Sequence, residues 1–374
     1  MKRLIAMLSL LAGSAAGVYA SSAMHPDEQL EFVKTQIEAK REPLYSAYLQ
    51  LIRYADSALS EPQHALADFA VPGFYDNPHE HRASSLAIQR DAFAAYASAL
   101  AYALSGEEKY GAKATYILNA WSRVNKKYSE HDGVLVMTYS GAGLMVAAEL
   151  MKDAALWSES DKNEFSRWVS SVYQKAANEI RTTPHVNNWA DWGRFGSLLA
   201  ASFLGDSAEV AENIRLIKAT LFEKIAPDSS LPDETGRGGN GIWYTYFSLA
   251  PMTAACWVAY NLTGENLFAL EQNGVSIKAA LDYLAYYTDH PAAWRWSRNP
   301  NTPRQKEEPW TYNLLEAMSG LYGDQRYVEQ VRGKRPLIYP RHHFAWTFPT
   351  LMPLNRLFPD HGLPSAWGDG SPQK

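Results

Sequence analysis

The stretch "AFAAYASALAYALSGEEKYGAKATYILNAWSRV", residues 92–124, decides the fold. Apolar residues recur at helical spacing on both sides of Ser105-Gly106-Glu107, with no sustained alternation of the kind strands show. A helical run that stops at glycine and restarts behind an acid reads as a hairpin. Glycine takes the left-handed position that ends the first helix, and the acid favours the positive start of the second. The same punctuation returns at Leu204-Gly205-Asp206, Leu262-Thr263-Gly264-Glu265 and Leu321-Tyr322-Gly323-Asp324. Hairpins repeated along a chain bury their apolar faces on neighbours, stacked as a solenoid or curled into an (α/α) toroid. The intervening loops, residues 71–82, 183–192 and 294–310, concentrate His, Arg, Asn, Trp and Tyr, as loops around a ligand cleft do. The expected fold is therefore all-α, an incomplete (α/α) toroid of helical hairpins in one domain over residues 21–374, with a small terminal extension from Gly333 as an option.

Composition narrows the class. The first twenty residues carry Lys2 and Arg3, an apolar stretch broken by Ser9, Gly13 and Ser14, and then Val18-Tyr19-Ala20, which reads as a cleaved secretory signal. The expectation is a periplasmic or secreted protein without a membrane span. The single cysteine, Cys256, has no internal partner and sits among apolar residues, so stability must come from the core. A formal net charge of −5 with acids and bases interspersed gives no footprint for nucleic acid. The chain is rich in aromatic residues, 12 Trp and 22 Tyr among them, which suits a carbohydrate partner. A monomer is expected.

A second stretch carries the chemistry: "LPDETGRGGNGIWYTYFSLAP", residues 231–251. It passes one arginine, Arg237, through a glycine-rich hinge and enters an apolar helix bearing Tyr244 and Tyr246. Upstream lies "HVNNWADW", residues 185–192. Together these segments resemble the alginate lyases of polysaccharide lyase family 5, which show paired asparagines, a histidine and a tryptophan, and then an arginine with a tyrosine seven residues later. Arg237 and Tyr244 have that spacing. Residues 88–121 also resemble the family's first hairpin, and "GKRPLIYPR" its C-terminal region. One departure is plain: Trp189 stands where the family has its histidine. That shifts the resemblance toward a related group such as family 38, whose members act on alginate or glucuronan.

The residues make chemical sense by themselves. Cleaving a 4-linked uronate by β-elimination requires removal of the proton on C5, whose acidity is low until the adjacent carboxylate is neutralised. Arg237 can bind that carboxylate in bidentate fashion, and the Asn188 amide adds a neutral donor. Tyr244, with a phenol pKa lowered by the same cationic surroundings, can take the C5 proton and return one to the departing O4. One residue does both only when H5 and O4 lie on the same face, as in β-D-mannuronate and β-D-glucuronate.

His185, with His79 and His81 behind it, is the candidate for the missing histidine. Trp189, Trp192, Asn187, Arg82, Arg90, Tyr139 and Tyr246 are candidates to contact substrate. Each also has a plain structural reading: Arg237 paired to Asp233 or Glu234, Trp189 and Trp192 as packing, Tyr246 as a core tyrosine satisfied locally. His79-Glu80-His81 and His342-His343 lack metal-ligand spacing, so no metal or other cofactor is expected. Three readings compete with an alginate lyase: a glucuronan lyase, an inverting glycoside hydrolase on the same toroid, and a non-catalytic carbohydrate-binding protein.

Overall fold

A computed structural model of the chain describes residues 22–182, 187–303 and 309–358. The signal segment read in the first twenty residues lies outside them. Helices α1 (Asp27–Glu38) and α2 (Leu44–Leu59) precede the long α3 (Pro78–Ser105). There follow α4 (Glu108–Val124), α5 (Gly133–Met151), α6 (Glu159–Trp168), which runs through a π turn into α7 (Gln174–Ile180), α8 (Asn188–Leu204) and α9 (Ser207–Lys224). The short α10 (Pro232–Thr235), α11 (Gly241–Thr263), α12 (Ile277–Asp289), α13 (Tyr312–Tyr322) and α14 (Gln325–Arg332) complete the order.

The hairpins close as an incomplete toroid. Helices α3, α5, α8 and α11 pack side by side as an inner ring, and α4, α9 and α12 cover them outside. The sequence dictates which goes where. Helices α5 and α11 are apolar around most of their circumference and are buried almost throughout, whereas α4 and α9 keep a charged face for solvent. Helix α5 is long and apolar enough to cross a membrane, but here it is the enclosed centre of the core. One apolar cluster runs from Ala23 to Leu354, with Cys256 inside it.

All four hairpin glycines adopt the left-handed conformation, with φ of 74° at Gly106, 73° at Gly205, 75° at Gly264 and 63° at Gly323. The acid behind them caps the next helix at Asp206, which accepts from the Glu209 N–H, and at Asp324, which accepts from the Arg326 N–H. Glu107 stands at the start of α4 without a side-chain cap bond, and Gly264-Glu265 departs further. It leads into a 3₁₀ turn and the antiparallel pair β3 (Glu271–Gln272) and β4 (Val275–Ser276) before α12 begins. The stretch from Gly333 is no extension: Leu337, Tyr339, His343, Phe344 and Trp346 are buried in the common core, and Trp346 donates to Thr253 of α11 at 2.9 Å.

Two short strands matter for the site. β1 (Asp68–Ala70) pairs in parallel with β2 (Lys127–Ser129), which brings the loop before α3 alongside the turn before α5. Tyr75 on the first and His131-Asp132 on the second therefore face one region.

Candidate active site

Arg237 sits between α10 and α11, and the glycines that come after it explain its setting. Gly238 has φ of 60°, its carbonyl accepts from the Trp294 indole at 2.9 Å, and a Cβ on Gly241 would lie 2.5 Å from the Trp294 ring. The glycine run thus lets the loop before α13 lie flat against the arginine turn. Seven residues on, Tyr244 leaves the first turn of α11 so that the Arg237 guanidinium lies 4.3 Å from its ring centroid. Residues two apart on a helix point about 200° apart, so Tyr246 faces inward. It is fully buried and its hydroxyl is 3.0 Å from His343 Nε2, as a local core role requires.

Asn188, the first residue of α8, is buried and held by Glu234 of α10. The Glu234 carboxyl accepts from the Asn188 backbone N–H at 2.6 Å and from its side-chain amide at 3.1 and 2.9 Å. Arg237 Nε lies 3.8 Å from the same carboxyl. Burial pushes Glu234 up to about 7, against the opposing pull of Lys224 and Asn188. Arg237, Tyr244 and Asn188 therefore gather around one carboxyl, which the sequence offered only as a salt-bridge partner.

Sequence reasoning missed Tyr75. It is exposed, its hydroxyl is 2.8 Å from the Tyr244 hydroxyl, and it accepts from Arg237 Nη1 at 3.3 Å. Its loop is pinned by Asp132, which accepts from the Phe74 N–H at 2.8 Å and contacts His81 Nε2 at 3.2 Å and His131 Nδ1 at 2.7 Å. Burial alone would raise the Asp132 carboxyl, but these three donors hold it below the usual carboxylate range.

Several expectations need correction. The Tyr244 phenol is raised, not lowered: burial and the Tyr75 hydrogen bond outweigh the Arg237 charge. Trp192 is fully buried among Tyr139, Phe195, Phe247 and His343, so its ring is packing rather than a sugar platform. Tyr139 is likewise buried, stacked on His342 with centroids 4.7 Å apart. Tyr246 has no face toward the cleft. Asn187 caps α8 by accepting from the Trp189 N–H at 3.1 Å.

Trp189 stays half-buried, edge-on to His131 with centroids 5.9 Å apart. Arg82 lies 5.1 Å over the Phe74 ring, beside the Tyr75 segment. Arg90 is exposed roughly 12 Å further along α3, away from that segment. His185 lies outside the described residues. His79 is exposed and His81 is engaged by Asp132. Among the described residues no three His, Cys, Asp or Glu side chains gather as a metal site. The Trp192 assignment has a direct check: Trp192→Ala should cost about 3–5 kcal/mol in denaturant unfolding, whereas a surface platform would cost almost nothing.

The helical toroid thus holds an arginine against a tyrosine beside a buried asparagine. Residues 39–294 match the family model described as alginate lyase, and the chain belongs to the alginate lyase family. No curated protein sequence matches it. Among solved structures, an alginate lyase from Bacteroides ovatus is similar over 86% of this chain and 98% of its own, with 21% identity and a TM-score of 0.69. Alginate lyase A1-III from Sphingomonas species A1 is similar over 90% of this chain and 97% of its own, with 14% identity and a TM-score of 0.70. A tetrasaccharide complex of alginate lyase A1-III gives 15% identity, the same coverage and a TM-score of 0.70. These likenesses establish the toroid.

Proposed function

We propose that the protein is an exported lyase that cleaves β-1,4-linked uronate polymers by β-elimination, with mannuronate-rich alginate as its preferred substrate. The observation that carries this reading is the placement of the Arg237 guanidinium against the Tyr244 ring, with Asn188 tied to the same turn through Glu234. The uronate carboxylate at the cleaved residue binds Arg237 and the Asn188 amide, which stabilise the enolate that forms as C5 loses its proton. Tyr244, as phenolate, takes that proton. The C4–O4 bond breaks, the C4=C5 double bond forms, and the same hydroxyl protonates the departing O4.

The raised phenol sets a pH dependence. Its phenolate fraction rises with pH up to its elevated pKa, so kcat/KM should climb through the neutral and mildly alkaline range. A profile that falls across that range would contradict Tyr244 as the base. Sugar entering between Tyr75 and Tyr244 removes one of the contacts that raise the phenol.

The absence of the family histidine at Trp189 favours the group that includes family 38, and leaves its role to His185 or to His131, whose ring meets Trp189. The specificity test compares mannuronate, glucuronate and guluronate polymers. Mannuronate should react fastest, glucuronate next, and guluronate, whose H5 and O4 are anti, far more slowly. Faster cleavage of guluronate would require a second base across the ring and would overturn the single-tyrosine scheme. Activity should also survive exhaustive EDTA treatment; loss restored by one divalent ion would return attention to His79 and His81.

A further inference from the structure

Glu234 does more than pair with an arginine. It is completely buried, and every polar group aimed at its carboxyl is a donor: the Asn188 backbone N–H, the Asn188 amide and, at ion-pair distance, Arg237 Nε. These donors come from two places that the chain must bring together, the first turn of α8 and the turn after α10. Among the described residues the Asn188 side-chain amide donates to this carboxyl alone. Arg237 Nε is enclosed and makes no hydrogen bond, so on the Glu234 side the guanidinium is held by charge, while on the other side Nη1 donates to the Tyr75 hydroxyl at 3.3 Å.

We propose that Glu234 is the positioning residue that fixes Asn188 and Arg237 as one carboxylate-binding frame, and that its ionised form is the one the frame requires. This rests on the lyase reading above. The geometry gives the reason. An ionised carboxyl is acceptor-only and matches three surrounding N–H groups, whereas a protonated one places an O–H among donors with nothing to accept it. The Asn188 amide nitrogen meets both Glu234 oxygens, at 3.1 and 2.9 Å, which fixes the plane of the amide beside Arg237. The charged groups around Glu234 are Arg237 on its own turn, Asp191 on α8 and Lys224 on α9, with the Tyr244 phenol on α11. Lys224, which is also bonded to Asp191, and the hydrogen bonds from Asn188 favour the ionised carboxyl, and of these Asn188 is the one that belongs to the carboxylate-binding frame. With burial raising Glu234 to about 7, its proton arrives within the working range.

The test is a pH profile of kcat/KM on polymannuronate for the wild type, Glu234→Gln, Asn188→Ala and the double variant. The wild type should lose activity below about pH 7 more steeply than Tyr244 alone explains, because two groups must then be ionised. Glu234→Gln should lower kcat/KM by ~100-fold above neutrality, the size of a positional slip of about 1 Å, and its acid side should become shallower by one proton. The double variant should lose much less than the product of the two single losses, since the part of the Glu234 effect that passes through Asn188 is already gone. A folded Glu234→Gln enzyme within about threefold of wild type and with an unchanged profile would overturn the proposal, as would additive losses in the double variant. If Glu234→Gln does not fold, Glu234→Asp carries the test: it should keep the acidic break at reduced rate, and a rate equal to wild type would count against the frame. Failure of the lyase reading looks different, because the wild type itself would then form no unsaturated product.

Discussion

Tyr244→Phe is expected to lower kcat on polymannuronate by up to ~10⁴-fold, the upper range for a group that handles both proton transfers, while polymer binding stays close to wild type. The ring remains, so its contact with the Arg237 guanidinium persists; only the hydroxyl is lost, and with it the bond to Tyr75. An interaction used in the transition state alone shows in kcat rather than in affinity. Titration of the variant with a mannuronate oligosaccharide separates the two. Tyr246→Phe is the control on the same helix. Its hydroxyl bonds His343 in the core, so the variant should keep most of its activity and lose about 1 kcal/mol of stability. Full loss in Tyr246→Phe with retained rate in Tyr244→Phe would mean that the catalytic tyrosine is the other one of the pair.

Arg237→Lys is the second large effect, with an expected loss in kcat/KM of roughly 10²–10³-fold, comparable to removing one donor from an oxyanion site. Lysine keeps the charge but offers no planar fork for a carboxylate and no flat cation to lie on the Tyr244 ring. The ammonium would also fall under the pull of Glu234, which already lies 3.8 Å from the arginine Nε. Steady-state kinetics at several pH values provide the check. A lysine variant near wild-type rate would show that charge alone suffices and that the two-pronged geometry has no part in the reaction.

How much the sequence disclosed depends on the range of the interactions concerned. The hairpins were legible because a left-handed glycine behind a helical run is a local event, and Gly106, Gly205, Gly264 and Gly323 all behave so. The element beyond each glycine is set less locally: after Gly264 a small hairpin intervenes before the next helix. Arg237 and Tyr244 were legible as neighbours because only seven positions of contiguous chain separate them. Tyr75 was not, since its partner lies 169 positions away and its loop is set in place by the parallel pairing of β1 with β2 and by Asp132, 58 positions from Phe74.

Glu234 was seen as a neighbour of Arg237, but its grip on Asn188, 46 positions back, depends on how α8 meets α10. Trp192 and Tyr139 show a different limit. On inner helices that are apolar nearly all round, periodicity does not say which face looks into the cleft, and both rings turn into the core. The direction of the Tyr244 shift depends on weighing burial against a nearby charge, and burial is a property of the folded chain.

The most direct measurement of the central claim is to digest polymannuronate with the purified protein and to count, in the same samples, new reducing ends and the ultraviolet absorbance of unsaturated uronate. Elimination at C4–C5 creates one unsaturated end for each reducing end, so the two should rise together in a one-to-one ratio and both should vanish in Tyr244→Phe. Reducing ends that accumulate without the absorbance would mean that water, not the C5 proton, drives the cleavage, and would contradict the account.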